Sequence, residues 1–414
     1  MLGLGQAAIA AEHSIIAPES KGTFRGRPTV AAVRVTKIPD IDGHLIDEAW
    51  SYAKPAGEFL QKEPKQNIPH SQRTEFRVLY NNDTLFVGVW CFDTEARNII
   101  AHTMERDVTM RYEDMVHITL DTFQDRRNGY RFTVNPNGAR GDATVSNNTS
   151  LNKAWDGAWR SRSQKHAWGW STEVAIPFKS LSFNEKNDSW GINIYRNIGR
   201  FGERGQWANS RRTSRSYHVS GCGDLTGLHG LRQGMGLDIT PYVTGKYSKN
   251  YDSSDSDLLG DFGVDIRYRH TPSLTALASV NTDFAETEID TRQVNFTRFP
   301  LFFPEKRQFF LEDSGIFGFG GGESSRRRSR DSSDALLMPF FSRRIGLSSK
   351  GHITPIQFAG KVTGRIKDYN IGLLNAVVEG DNHPRNAFVG RISRNVFEQS
   401  SFGFLTTIGD PNSD

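Results

Sequence analysis

Trp155 and Trp159 fall in a loop containing Gly and Asp rather than in an alternating strand. A third tryptophan, Trp207, sits in the polar stretch ERGQWANSRR beside Arg204, Gln206 and Asn209. A flat aromatic face can cover the apolar C–H face of a sugar ring while amides, carboxylates and guanidinium groups at its rim take the hydroxyls. These six residues are the candidate sugar-contacting set. For each tryptophan the plain alternative is that it covers a sandwich edge. Trp90, Trp170 and Trp190 fall on strand faces and are expected in a core, and Trp168 fits either role.

Glu113, Asp114, Asp121, Asp125 and Asp142 could supply oxygen ligands to a hard cation such as calcium, although EF-hand spacing is missing and acidic residues at strand ends are common surface features. Glycoside hydrolysis needs two carboxylates facing each other across the scissile bond. No such pair is marked out here, and HExxH, Gly-x-Ser-x-Gly and Cys-x-x-Cys arrangements do not occur. No catalytic residue is therefore assigned.

The elements that must position these groups are strands. From Tyr112 to Asp142 the chain reads YEDMVHITLDTFQDRRNGYRFTVNPNGARGD, in which Val116, Ile118 and Leu120 alternate with polar residues and, after a charged turn, Tyr130, Phe132 and Val134 do the same. That is a β-ribbon with one apolar face, and it needs a second sheet to cover it. Further strands are predicted at Phe76–Tyr80, at Leu85–Phe92 (nearly all apolar, so covered on both faces), at Trp170–Ile176 and at Trp190–Asn197. A short helix over Leu45–Ala53 should bury Trp50. Together these predict an antiparallel sandwich between about Val35 and Leu228.

With 414 residues, two units are expected. The hydrophobic fraction of 36% is low for a compact enzyme, and 39 glycines with 11% aromatics fit turn-rich β structure. The net charge of +4 gives no argument for nucleic acid, which is not expected as a partner. Two cysteines, Cys91 and Cys222, read as unpaired thiols. The start, MLGLGQAAIAAEHS, looks like the tail of an export signal with its Ala8-Ile9-Ala10 cleavage site, and residues 1–34 read as that signal and a lead-in.

The blocks IDGHLIDEAW, LYNNDTLFVGVWCFD, YEDMVHITLD, WSTEVAIPFKSL and WGINIYRN, in this order, resemble the family 9 carbohydrate-binding module. The resemblance implies a jelly-roll β-sandwich that binds poly- or oligosaccharide without cleaving it, and it lends some support to calcium, for which Glu113 and Asp114 are the candidates. Only Trp207 corresponds, loosely, to one of the family's stacking residues. The segments FPLFFPEKRQFFLE and FFSRRIGL resemble the outer-membrane β-barrel domain that often follows such a module. This implies a sandwich in the periplasm or at the cell surface and lipid contact by the second half. A glycoside hydrolase, or a channel or receptor capped by the sandwich, are the alternatives.

Residues 236–414 support a sheet on their own terms. Three clean strands (near 237–247, 262–269 and 356–366) and three or four blurred ones (near 273–282, 369–379, 386–396 and 402–408) alternate apolar and polar over about 9 to 11 residues. A soluble sheet with one wet face is the competing reading. The count falls short of a closed barrel, so an open sheet with a bare final edge at Phe402–Ile408 is predicted. The aromatic insertion 284–350, with Phe299, Phe302, Phe303, Phe309 and Phe310, reads as a plug or constriction inside a barrel, and the run Arg326-Arg327-Arg328 as a solvated tip.

Overall fold

The chain folds as an all-β protein in which a mostly antiparallel β-sandwich is followed by an open antiparallel sheet. The structure is a computed structural model that describes residues 23–24, 27–148, 150–153, 155–234, 236–249, 256–282, 305, 307–319, 339–347, 354–380, 383–396 and 400–409. The expected export signal, Arg326–Arg328, Phe299, Phe302 and Phe303 lie outside these residues.

The sandwich strands are β1 (Thr23–Phe24), β2 (Arg27–Ala31), β3 (Val33–Arg34), β4 (Leu60–Glu63), β5 (Thr74–Tyr80), β6 (Thr84–Phe92), β7 (Met115–Asp121), β8 (Gly129–Val134), β9 (Arg140–Ser146), β10 (Ser150–Asn152), β11 (Arg160–His166), β12 (Gly169–Pro177), β13 (Ser189–Ile198), β14 (Glu203–Gln206) and β15 (Gly223–Thr226). One sheet runs β1-β2-β15-β13-β7-β8-β9-β10, with β14 and β4 branching from β13; the other runs β11-β12-β6-β5-β3. The ribbon read from the sequence is the pair β7–β8, in register Ile118 with Phe132 and Val116 with Val134. Its apolar face packs on Phe76, Val78, Val87, Val89, Val174 and Ile176 of the other sheet. Burying each such side chain contributes about 1.5–3 kcal/mol, which is why alternation alone suffices to define the inward face.

Strand β6 is covered on both sides, as its unbroken apolar run requires. Leu85, Val87 and Val89 join the inter-sheet core, while Phe86 packs outside with Leu45 and Trp50. Gly88 permits that outer layer, since a Cβ there would lie 2.5 Å from Leu45 and 3.0 Å from the Trp50 ring. The helix that delivers Trp50 is α1, Glu48–Ser51, shorter than expected because Leu45 takes a positive φ of 57°. The buried Glu173 carboxylate fastens this layer, accepting the Trp50 indole N–H at 2.9 Å and the Gly43 backbone N–H at 2.7 Å.

One boundary needs correcting. Strands β2 and β3 lie inside the stretch read as lead-in, yet β2 pairs in parallel with β15 and β3 with β5. Their partners are far away in the chain, so no local pattern announces them.

After the sandwich come β16 (Leu237–Lys249), β17 (Ser256–Thr271), β18 (Leu274–Thr282), β19 (Ile356–Ile366), β20 (Tyr369–Val378), β21 (Arg385–Val396) and β22 (Ser400–Ile408). Each pairs antiparallel with the next, and among the described residues β22 does not return to β16, so the sheet is open. Its outer face exposes Val243, Phe262, Phe358, Leu373, Phe402 and Phe404. Ile356 departs from that face and is buried, because the register with β20 shifts between Ile356 and Phe358.

Against the inner face lies α2 (Gln308–Leu311), whose Phe309 and Phe310 pack with Leu277, Ala359, Leu374 and Ala376. Lys361, buried on the inner face of β19, donates to the carbonyls of Phe309 and Glu312, the latter at 2.6 Å. The described part of the insertion thus packs against the sheet's inner side.

Candidate functional site

The three candidate tryptophans are not exposed. Trp207 is buried in the inter-sheet core, edge-on to Phe76 at 5.0 Å. It sits so close to β15 that a Cβ on Gly223 would lie 2.5 Å from its ring. Trp155 tilts against Tyr130 at 5.1 Å and Trp159 meets Phe132 edge-on at 5.2 Å, so both close the sandwich core beside β8. Trp155 and Trp159 take the edge-covering role, and Trp207 is a core residue.

Their polar companions are used within the fold. The Arg204 guanidinium binds the Glu63 carboxylate at 2.6 Å, the buried Gln206 carbonyl accepts from the Asn193 amide at 2.8 Å, and the Asn209 amide donates to the Ser214 hydroxyl at 3.0 Å. A polar sequence around Trp207 signals hydrogen-bonded loop anchoring here, not a solvent-facing rim.

The calcium candidates are likewise engaged. Glu113 accepts the Thr103 hydroxyl at 2.5 Å, the Thr103 N–H at 3.1 Å and the Asn135 amide at 3.1 Å. Burial raises its pKa, but these donors outweigh burial and hold it below the usual range. Asp114 accepts the N–H groups of Ile100 at 3.0 Å and Gly199 at 3.2 Å, and burial pushes its pKa up. Asp142 receives Gly157 N–H at 2.6 Å and Arg106 at 2.9 Å. Among the described residues no three His, Cys, Asp or Glu side chains cluster to hold a metal ion. Glu113 and Asp114 tie loops together, and this donor set does not fit calcium.

An aromatic surface does exist at one end of the sandwich, where β6, β11 and β12 meet. Of the eight tryptophans, Trp168 alone is exposed, at 36%. The tight turn between β11 and β12 places it there: His166 pairs with Gly169, whose φ of +140° suits glycine, and the Trp168 carbonyl accepts the Asp93 N–H at 2.9 Å. The His166 ring lies parallel to the indole, centroids 4.5 Å apart and planes 7° apart. Phe92 tilts against Trp168 at 5.1 Å, and the Arg73 guanidinium sits 3.9 Å from the Phe92 ring centre.

Beneath this surface, buried Arg196 fixes the backbone on both sides. One nitrogen donates to the Arg73 carbonyl at 2.9 Å and the other to the Phe92 carbonyl at 2.9 Å. Next in the chain, Asp93 takes Arg200 through two bonds of 2.6 and 2.7 Å, and Arg200 lies over the exposed Phe201 ring at 4.3 Å. Burial raises the Asp93 pKa, yet the Arg200 bonds prevail and lower it, so the carboxylate stays charged. Flat rings interleaved with guanidinium groups can cover an apolar ring face and donate to oxygens at its edge. Phe92, Arg73, Arg200 and Phe201 were not legible as a site. The available signals were the Phe92-Asp93 end of an apolar strand and the Trp168-Gly169 turn.

Fold and site together define the class: an all-β chain whose sandwich presents an aromatic, guanidinium-edged end and is joined to an open sheet. Residues 41–218 match the family described as Carbohydrate family 9 binding domain-like, and residues 234–399 match a domain of unknown function, DUF5916. Among solved structures, the chain is similar to a Bacteroides uniformis protein provisionally described as carbohydrate-binding (12% identity, TM-score 0.41, covering 48% of this chain and 98% of that one). It is also similar to a carbohydrate binding module family 9 from Caldicellulosiruptor kristjanssonii in complex with glucose (15% identity, TM-score 0.36, covering 48% and 94%) and in complex with cellotriose (16%, 0.36, 48% and 92%). No protein with a curated description matches the chain.

Proposed function

We propose that the sandwich binds poly- or oligosaccharide without cleaving it, through the end that carries Trp168. The observation that carries this reading is the exposure of Trp168 alone among the tryptophans, backed by His166 and flanked by Phe92 and Arg73. The family match over residues 41–218 supports the same chemistry. Trp168 and Phe92 supply apolar faces, and Arg73 supplies donors for hydroxyl oxygens. The test is titration calorimetry of the detergent-solubilised chain with cellotriose and xylotriose, alongside Trp168→Ala. A loss of about tenfold or more in affinity is expected, equal to about 1.4 kcal/mol. Unchanged binding by that variant would remove the site, and reducing-sugar release by the parent would favour a glycoside hydrolase.

The second half has its own reading: an outer-membrane sheet whose apolar outer face meets lipid. Its support is the outward set of Val243, Phe262, Leu373 and Phe404 on strands of 9 to 16 residues, opposite an inner face holding Lys361 and Thr363. Flotation with phosphatidylethanolamine–phosphatidylglycerol vesicles tests it. A chain that stays at the bottom of the gradient and monodisperse without detergent would overturn it.

A further inference from the structure

One rim of the C-terminal sheet stands on the sandwich. Three contacts hold it there: the Phe183 N–H donates to the Pro272 carbonyl at 3.0 Å, Arg365 binds the Asp125 carboxylate at 3.1 Å, and Arg127 donates to the Ser400 carbonyl at 2.8 Å. Between these struts the two parts do not close on each other. They leave a cavity of about 260 Å³, walled on one side by the Thr122–Tyr130 turn and β9, and on the other by β20, β21 and the turn Ser314–Phe317.

The wall chemistry is specific. Hydroxyls and amides dominate it, among them Ser146, Ser182, Ser393 and Asn370, and rings of Phe123, Tyr130 and Phe319 supply apolar surface. Its four charges balance: Asp125 and Asp313 against Arg365 and Arg391. Asp125 is paired with Arg365, and Asp313 accepts the Thr363 hydroxyl at 2.7 Å. Donors, in contrast, are left over. Among the described residues, Nε and one terminal nitrogen of Arg391 and the amide nitrogen of Asn395 are shielded from solvent without an acceptor. Arg391 and Asn395 both line the cavity, with the Arg391 guanidinium over the Phe319 ring at 5.5 Å, and buried donors in a fold are nearly always paired.

We propose that this cavity is a second carbohydrate site, taking one or two neutral sugar rings with Arg391 and Asn395 donating to ring or hydroxyl oxygens. A polyhydroxylated ring matches hydroxyl-rich, charge-balanced walls with a few aromatic faces. The volume lies below the roughly 300–1,000 Å³ of drug-sized sites, which limits the occupant to a short saccharide. The proposal shares with the function above only the premise that this chain binds sugars; it uses none of the Trp168 surface.

The experiment is calorimetry on the full chain in detergent with glucose, cellobiose and cellotriose, using the parent, Trp168→Ala, Arg391→Gln, Asn395→Ala and each of the last two combined with Trp168→Ala. Thermal unfolding establishes that each variant is folded, and Asn395→Ala stands independently should Arg391→Gln fail to fold. In the Trp168→Ala background, glucose or cellobiose binding is expected to persist and to weaken at least tenfold when Asn395→Ala or Arg391→Gln is added. Loss of all saccharide binding in Trp168→Ala overturns the cavity and leaves the Trp168 site standing; the cavity then holds water alone. Residual binding indifferent to both Arg391→Gln and Asn395→Ala also overturns it. Parent-like behaviour of Trp168→Ala with loss in Arg391→Gln and Asn395→Ala would retain the cavity and remove the Trp168 site. Absence of binding in the parent for all three sugars removes both.

Discussion

The imidazole of His166 lies flat on the indole of Trp168, 4.5 Å between ring centres and 7° between planes. Burial, followed by the neighbouring His44, lowers the His166 pKa, so the stacked ring is neutral at pH 7. His166→Ala should therefore leave the indole less constrained and weaken cellotriose binding less than Trp168→Ala does, by about two- to fivefold against about tenfold, a loss of about 0.4–1 kcal/mol that is part of what an aromatic pair is worth. Tryptophan fluorescence quenching by sugar reads both. Equal, complete loss in the two variants would mean that His166 itself contacts the ligand.

The core and surface tryptophans should separate cleanly in stability. Trp170 and Trp207 are both buried, so Trp170→Ala and Trp207→Ala are each expected to cost about 3–5 kcal/mol in chemical denaturation. Trp168→Ala, made on the surface, should stay within about 0.5 kcal/mol of the parent. A Trp207→Ala variant as stable as the parent would return that residue to the candidate list.

Acid should loosen the sandwich through His70. Its ring is buried near Arg196, and burial first, then that guanidinium, depresses the pKa to about 3. The contact of 3.3 Å to Glu203 is therefore no ion pair at neutral pH, because the imidazole carries no proton there. An unfolded histidine binds its proton near pH 6.5, so between about 6.5 and 3 the unfolded chain holds more protons. The stability due to neutral His70 is full above about 6.5 and drains away as pH falls toward 3. His70→Gln should flatten that part of the curve of melting temperature against pH. Parallel curves for variant and parent between pH 6.5 and 4 would contradict the assignment.

Lys361 should hold the inner segment down. Its ammonium group is buried and satisfied by the carbonyls of Phe309 and Glu312. Lys361→Met removes both bonds while keeping the length of the side chain, leaving two carbonyls to find other donors at about 1–3 kcal/mol each. Limited proteolysis of the variant should cut between Arg307 and Phe319 several-fold faster than in the parent. Identical cleavage rates would mean that packing of Phe309 and Phe310 alone retains the segment.

Much of the architecture was legible because a strand's side chains alternate by geometry. Val116, Ile118 and Leu120 identify β7 without reference to any partner, and the roughly seven segments read after Gly236 correspond to the strands β16 to β22 among the described residues. The unbroken run Leu85–Phe92 likewise announced a strand covered on both faces, since an exposed face would have carried polar residues. Tertiary structure alone decided the rest. Whether Trp155, Trp159 and Trp207 meet solvent depends on what packs on their loops, and Phe132, Tyr130 and Phe76 come from other strands. The joining of β2 to β15, across nearly two hundred residues, has no local signature for the same reason. Trp168 is exposed because a two-residue turn ends the β11–β12 hairpin at the margin of its sheet, and Phe92 and Arg73 reach it only because β6 and β5 finish at that margin too. Spacing along a chain sets which residues share a face; only the pairing of distant strands sets which faces remain uncovered.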